Sequence, residues 1–95
     1  MNYKAIDYLP LGSVVLLKGS EQKVIIIGRG LLTTSVNSQM FKDYGGVLYP
    51  YGIIGENIMF FNHNDIEKVV FKGYKDEVDS SFVEKINDTA SKIEL

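Results

Sequence analysis

Leu9 to Gly30 reads LPLGSVVLLKGSEQKVIIIGRG, and this stretch decides the fold. Two apolar runs, Ser13–Leu17 and Lys23–Ile27, flank the polar turn Lys18-Gly19-Ser20-Glu21-Gln22. Their β-branched content and the Gly-containing turn predict a β-hairpin. The strands are expected over Ser13–Lys18 and Lys23–Arg29. Both are nearly continuous in apolar character, which suits strands covered on both faces. Leu9-Pro10-Leu11-Gly12 before them reads as a turn, since proline presets φ and glycine permits positive φ. Gly28 and Gly30 flank Arg29 at the far end, where glycine marks a bulge or a sharp bend.

Outward from the hairpin, Met1–Tyr8 reads as a polar lead-in. Leu31–Val36 is expected to continue the second strand past the bend, and Asn37–Asp43 to form the longest loop. Tyr44–Tyr49 reads as a third strand, ended by Pro50-Tyr51-Gly52. A second glycine-containing turn follows over Ile53–Asn57. Ile58–Phe61 reads as a fourth strand and Asn62–Asp65 as a tight polar corner, because Asn and Asp hydrogen-bond their own backbone. Ile66–Lys72 reads as a fifth strand, stopped by Gly73. Tyr74–Asp79 reads as an acidic linker. Ser81-Phe82-Val83-Glu84 has the form of a capping box, and Phe82, Ile86, Thr89, Ala90 and Ile93 recur at helical spacing. A C-terminal amphipathic helix is therefore expected over 81–93.

These elements predict a single α+β domain over 1–95, with a lead-in over 1–8 and a β-region over 11–73. The sheet is expected to be strongly bent, antiparallel and five-stranded, as a Src-homology-3-like barrel closed or covered by the helix in the first reading and as a plain antiparallel sheet with one helix in the alternative. The chain has 95 residues, enough for one compact core, and no cysteine, so no disulfide or thiolate chemistry is expected. A formal net charge of −2 with no basic cluster argues against nucleic acid as a partner. No apolar run approaches the roughly 20 residues of a membrane-spanning helix, and the first residues lack a secretory pattern. A cytoplasmic protein without membrane insertion is expected.

No catalytic, cofactor-binding or metal-binding residue stands out, and the chain is read as a non-enzyme. His63 is the sole histidine, and a metal site needs three or four ligands. Gly28-Arg29-Gly30 lacks the spacing of a phosphate-binding loop. Asp76, Glu77 and Asp79 lack the spacing of a calcium loop and suit the approach to a helix N-terminus. Ser13, Ser80 and Ser81 have no base and acid to activate them. The stretch Tyr49-Pro50-Tyr51-Gly52-Ile53-Ile54 is apolar and aromatic for a loop. Large exposed apolar patches tend to be interfaces, so Tyr49, Tyr51, Ile53 and Ile54 are candidate partner-binding residues. Phe61 joins them, because Phe60 and Phe61 point to opposite faces of a strand.

The segments LPLGSVVLLKGSEQKVIIIGR, DYGGVLYPYG and FFNHNDIEKVVFKGY, in this order, resemble a domain-of-unknown-function family of small Gram-positive bacterial proteins. Members share a Leu-Pro-Ile-Gly-Ser-Val-Val-Leu-Leu-Lys-Gly strand, a Tyr-Pro-Glu-Gly turn and an Asn-His-x-Asp-Ile corner. Tyr51 stands here in place of the acidic residue of that turn. Such proteins are encoded beside type VII secretion genes for toxins with an LXG amino-terminal domain. The resemblance implies a chaperone or targeting factor that binds an LXG toxin, and with it the toxin's small helical partner proteins. It carries over no catalytic residue. Self-association through an uncovered sheet edge is compatible with this reading. The alternative is a small nucleic-acid-binding or regulatory β-barrel.

Overall fold

The computed structural model describes residues 3–35 and 38–93. Five strands precede one helix: β1 (Val14–Leu17), β2 (Lys23–Ser35), β3 (Ser38–Leu48), β4 (Met59–Phe61), β5 (Ile66–Phe71) and α1 (Glu77–Ile93). A 3₁₀ turn at His63–Asp65 joins β4 to β5. The strands form one antiparallel sheet in the order β4-β3-β2-β1-β5. β4 and β5 are its two edges and do not pair with each other, so the sheet is open and does not close into the barrel of the first reading.

The expected hairpin is present, with Val14 opposite Ile25 and Leu16 opposite Lys23. The expected loop over Asn37–Asp43 is not a loop from Ser38 onward. Ser38–Asp43 belongs to β3 and pairs with β2 as far as Ser35↔Ser38, while Val36 and Asn37 lie outside the described residues. Polar residues mask this pairing, because Thr33, Thr34 and Gln39 lie on a ribbon of only two strands. The ladder slips between Ile26 and Gly28, and Gly30 adopts φ +62°, so the predicted bend is real. Gly30 also lets the helix approach: a Cβ there would sit 2.7 Å from the Ile86 side chain.

The helix begins at Glu77, four residues before the expected start. Asp76 is the residue that caps it, its Oδ1 accepting the Asp79 N–H at 3.0 Å. Ser81 and Glu84 therefore lie inside the helix and form no capping box. Asp76 pre-empts Ser81 because either side chain satisfies the free N–H groups, and the earlier cap extends the helix. Glu77 and Asp79 in the first turn also favour the positive end of the helix. The buried residues of α1 are Val83, Ile86 and Ala90; Phe82 and Thr89, expected in the stripe, are exposed.

Between sheet and helix lies a core of Tyr8, Val15, Val24, Ile26, Tyr44, Phe61, Val83 and Ile86. The lead-in contributes directly, since Tyr8 is fully buried and stacks edge-on against Tyr44 with ring centroids 5.5 Å apart. Asn87 of α1 pins the segment in place. Its Oδ1 accepts the Ile6 N–H at 2.9 Å and the Tyr3 hydroxyl at 2.6 Å, and its Nδ2 donates to the Ile6 carbonyl at 2.9 Å.

Candidate partner-binding surface

The connection between β3 and β4 is built by its backbone. The Gly52 N–H donates to the Leu48 carbonyl at 2.9 Å, closing a tight turn around Pro50 and Tyr51. The Asn57 N–H donates to the Ile54 carbonyl at 3.2 Å and the Ile58 N–H to the Glu56 carbonyl at 2.9 Å. The hairpin turn braces it: the Gln22 side-chain amide donates to the Tyr49 carbonyl at 2.8 Å, and the Lys23 ammonium lies 5.7 Å from the Tyr49 ring centroid. These bonds satisfy the main chain locally and leave the side chains outside. Tyr49 is 47% exposed, Tyr51 63%, Ile53 63% and Ile54 57%.

The apolar exposure continues into β4. Ile58 and Phe60 both lie over Gly45 of β3, at 3.6 and 3.8 Å from where a Cβ would be, and both are exposed. The four loop residues are thus accessible, as the sequence suggested. Phe61 is not. It is 3% exposed and stacks on Tyr44 at 5.5 Å, so it is a core residue with no surface to offer a partner. The alternation of Phe60 and Phe61 holds, and Phe60 is the accessible one.

His63 serves the corner. Its backbone N–H donates to Asp43 Oδ2 at 2.8 Å, and its ring stacks on Tyr44. Tyr44 Oη accepts the Leu9 N–H at 3.0 Å and lies 2.8 Å from His63 Nδ1, to which the Tyr44 O–H donates in the tautomer that carries the ring proton on Nε2. Burial pushes the Tyr44 phenol up to about 12, against the opposing effect of the Leu9 hydrogen bond. Burial, and then the neighbouring Asp43 carboxylate, push the Tyr8 phenol up further still. Among the described residues no group of three or more His, Cys, Asp or Glu is arranged to hold a metal.

Sequence reasoning missed one buried ion pair. Arg29 Nη2 donates to Asp79 Oδ1 at 2.7 Å and Nη1 to Oδ2 at 3.3 Å, and Nη1 also donates to the Leu9 carbonyl at 3.3 Å. The Phe82 ring covers the guanidinium at 5.3 Å. The signal was an arginine inside an apolar strand, which is rarely buried unless paired.

No helix among the described residues is long and apolar enough to cross a membrane. No curated protein and no solved structure matches the chain. Residues 8–82 match a domain of unknown function, DUF4176, and this span runs from the core tyrosine Tyr8 to the arginine-covering Phe82. With most of its length matched, the chain belongs to the DUF4176 family.

Proposed function

We propose that this protein is a cytoplasmic accessory factor that binds an LXG-type toxin and presents it for type VII secretion. The observation that carries the reading is the β3–β4 connection, whose backbone is braced while Tyr49, Tyr51, Ile53 and Ile54 are all exposed. A preformed apolar surface loses little freedom on binding, and aromatic anchors of this kind dominate interface energetics. An LXG domain is long and helical, so it offers apolar helix faces that need cover before export. Docking such a face on this loop is recognition of a helix by an apolar surface. The small helical proteins encoded with the toxin complete the complex in this reading.

The scaffold is read as an open member of the Src-homology-3-like group. The strand order, the β1–β5 pairing and the 3₁₀ turn before β5 support that assignment. The C-terminal helix is read as amphipathic, its buried side being Val83, Ile86 and Ala90. Affinity capture of the tagged chain from its own cells tests the function. Recovery of one LXG toxin in stoichiometric amount is the expected result. Recovery of RNA, or of the chain alone, would contradict it.

A further inference from the structure

A second feature lies at the other end of β3 from the loop at Tyr49. The outer part of the β2–β3 ribbon and the last turns of α1 enclose a groove of about 470 Å³. Its apolar walls are Tyr3, Leu32, Met40, Phe41, Ala90 and Ile93, and its single charged lining residue is Asp43. Asp43 is buried. Its carboxylate accepts the Tyr8 hydroxyl at 3.1 Å and the His63 N–H at 2.8 Å. Both donors are neutral in charge, and none of the ion pairs among the described residues involves Asp43. Burying a carboxylate without a counter-charge is costly. The contrast with Arg29, whose buried charge is neutralised inside the chain by Asp79, marks Asp43 as the exception.

We propose that this groove docks a helix of a partner protein that carries one lysine or arginine on an otherwise apolar face, with the cation against Asp43. Charge complementarity selects the basic residue, and the apolar walls receive its methylene stem. The groove has the size of a drug-sized ligand site, more than a single side chain fills. Leu32 and Met40 on its rim are also half-exposed, so the occupant is larger than one side chain. Apolar residues three and four positions away on the same helix lie beside the basic one and cover that rim. The site is separate from the Tyr49–Ile54 loop and does not depend on the toxin-binding reading.

The test titrates the isotope-labelled full chain with a Leu/Ala-rich helical peptide of about 15 residues carrying one lysine on its apolar face. A twin peptide has norleucine in place of the lysine. The lysine peptide is expected to bind about tenfold more tightly, the size of one charge-assisted contact. It should shift the backbone resonances of Phe41, Asp43, Ala90 and Ile93. Asp43→Asn should reduce it to the affinity of its twin. Equal affinities, shifts confined elsewhere, or no binding by either peptide would overturn the proposal. Exchanging the peptides leaves the protein unaltered, so their comparison decides the matter even where Asp43→Asn fails to fold.

Discussion

Arg29 and Asp79, separated by 50 positions in the chain, close a two-bond ion pair that fastens the start of α1 to β2. The Arg29 side chain is almost wholly buried and that of Asp79 largely so, which makes the pair asymmetric in its consequences. Removing one partner from a buried pair strands the other charge, at a cost of about 3–5 kcal/mol. Asp79→Ala is expected to lower stability toward the lower end of that range, about 3 kcal/mol, because Asp79 lies on the water-facing side of the pair and its removal admits water to the stranded Arg29. Arg29→Met with Asp79→Leu should lose far less than the sum of the single changes. Urea unfolding of the wild type, Asp79→Ala, Arg29→Met, Asp79→Leu and the double variant gives the comparison, and additivity of Arg29→Met and Asp79→Leu would argue against a coupled pair.

Gly30 of β2 and Ile86 of α1 pack with no room for a side chain at position 30. Gly30→Ala adds a Cβ that meets the Ile86 side chain at 2.7 Å on a backbone with φ +62°. The expected loss is about 1–3 kcal/mol, combining overpacking with left-handed strain. In the Ile86→Ala background the same substitution should cost less, because the steric part has gone. An equal cost in both backgrounds would leave backbone strain as the whole effect.

Asn87 holds the N-terminal segment through hydrogen bonds to Tyr3 and to both backbone groups of Ile6. Asn87→Ala should destabilise the fold by about 1–3 kcal/mol through the stranded Ile6 groups. Hydrogen exchange at the Ile6 amide should accelerate well beyond that of Val15 in the core. Uniform acceleration throughout would indicate global weakening rather than release of the segment.

Stability should fall steeply in alkali. Tyr44 is raised to about 12 by burial, and Tyr8 is raised by burial and the Asp43 carboxylate. Their unfolded counterparts lose protons near pH 10, so the unfolded state binds fewer protons above that point. Stability from the raised phenols is therefore complete below pH 10. It is lost as pH climbs toward the folded values. Tyr44→Phe and Tyr8→Phe should each flatten the decline between pH 10 and 12 in unfolding experiments. An unchanged slope would mean that these phenols titrate freely in the folded protein.

How far the sequence disclosed this fold is seen in particular residues. Val14–Leu17 and Lys23–Ile27 announced the hairpin because a continuous apolar run and a polar turn leave little choice. Asn62–Asp65 announced the corner before β5, and the structure has a 3₁₀ turn there. The ribbon beyond Leu31 stayed hidden because it is only two strands wide and carries the polar residues Thr33, Thr34 and Gln39, which break the apolar pattern of a strand. The helix start was misplaced because Asp76 and Ser81 are both good caps, and only the structure decides between them. At the surface, Tyr49, Tyr51, Ile53 and Ile54 were legible as misplaced apolar residues. Phe61 was not, since alternation says that Phe60 and Phe61 differ but not which one faces inward. Arg29 and Asp79 were invisible as a pair, because their contact depends on where the helix lands.

The proposed toxin binding is tested most directly by pairing wild-type protein, and the variant Tyr51→Glu/Ile53→Glu, with a purified LXG domain. Both side chains project from a braced turn into solvent, so the variant should keep the wild-type unfolding midpoint. Calorimetry should give a defined stoichiometry for the wild type and at least a roughly tenfold weaker interaction for the variant. Equal affinity in the two proteins would remove the loop from the interface, and no binding by the folded wild type would contradict the proposed function itself.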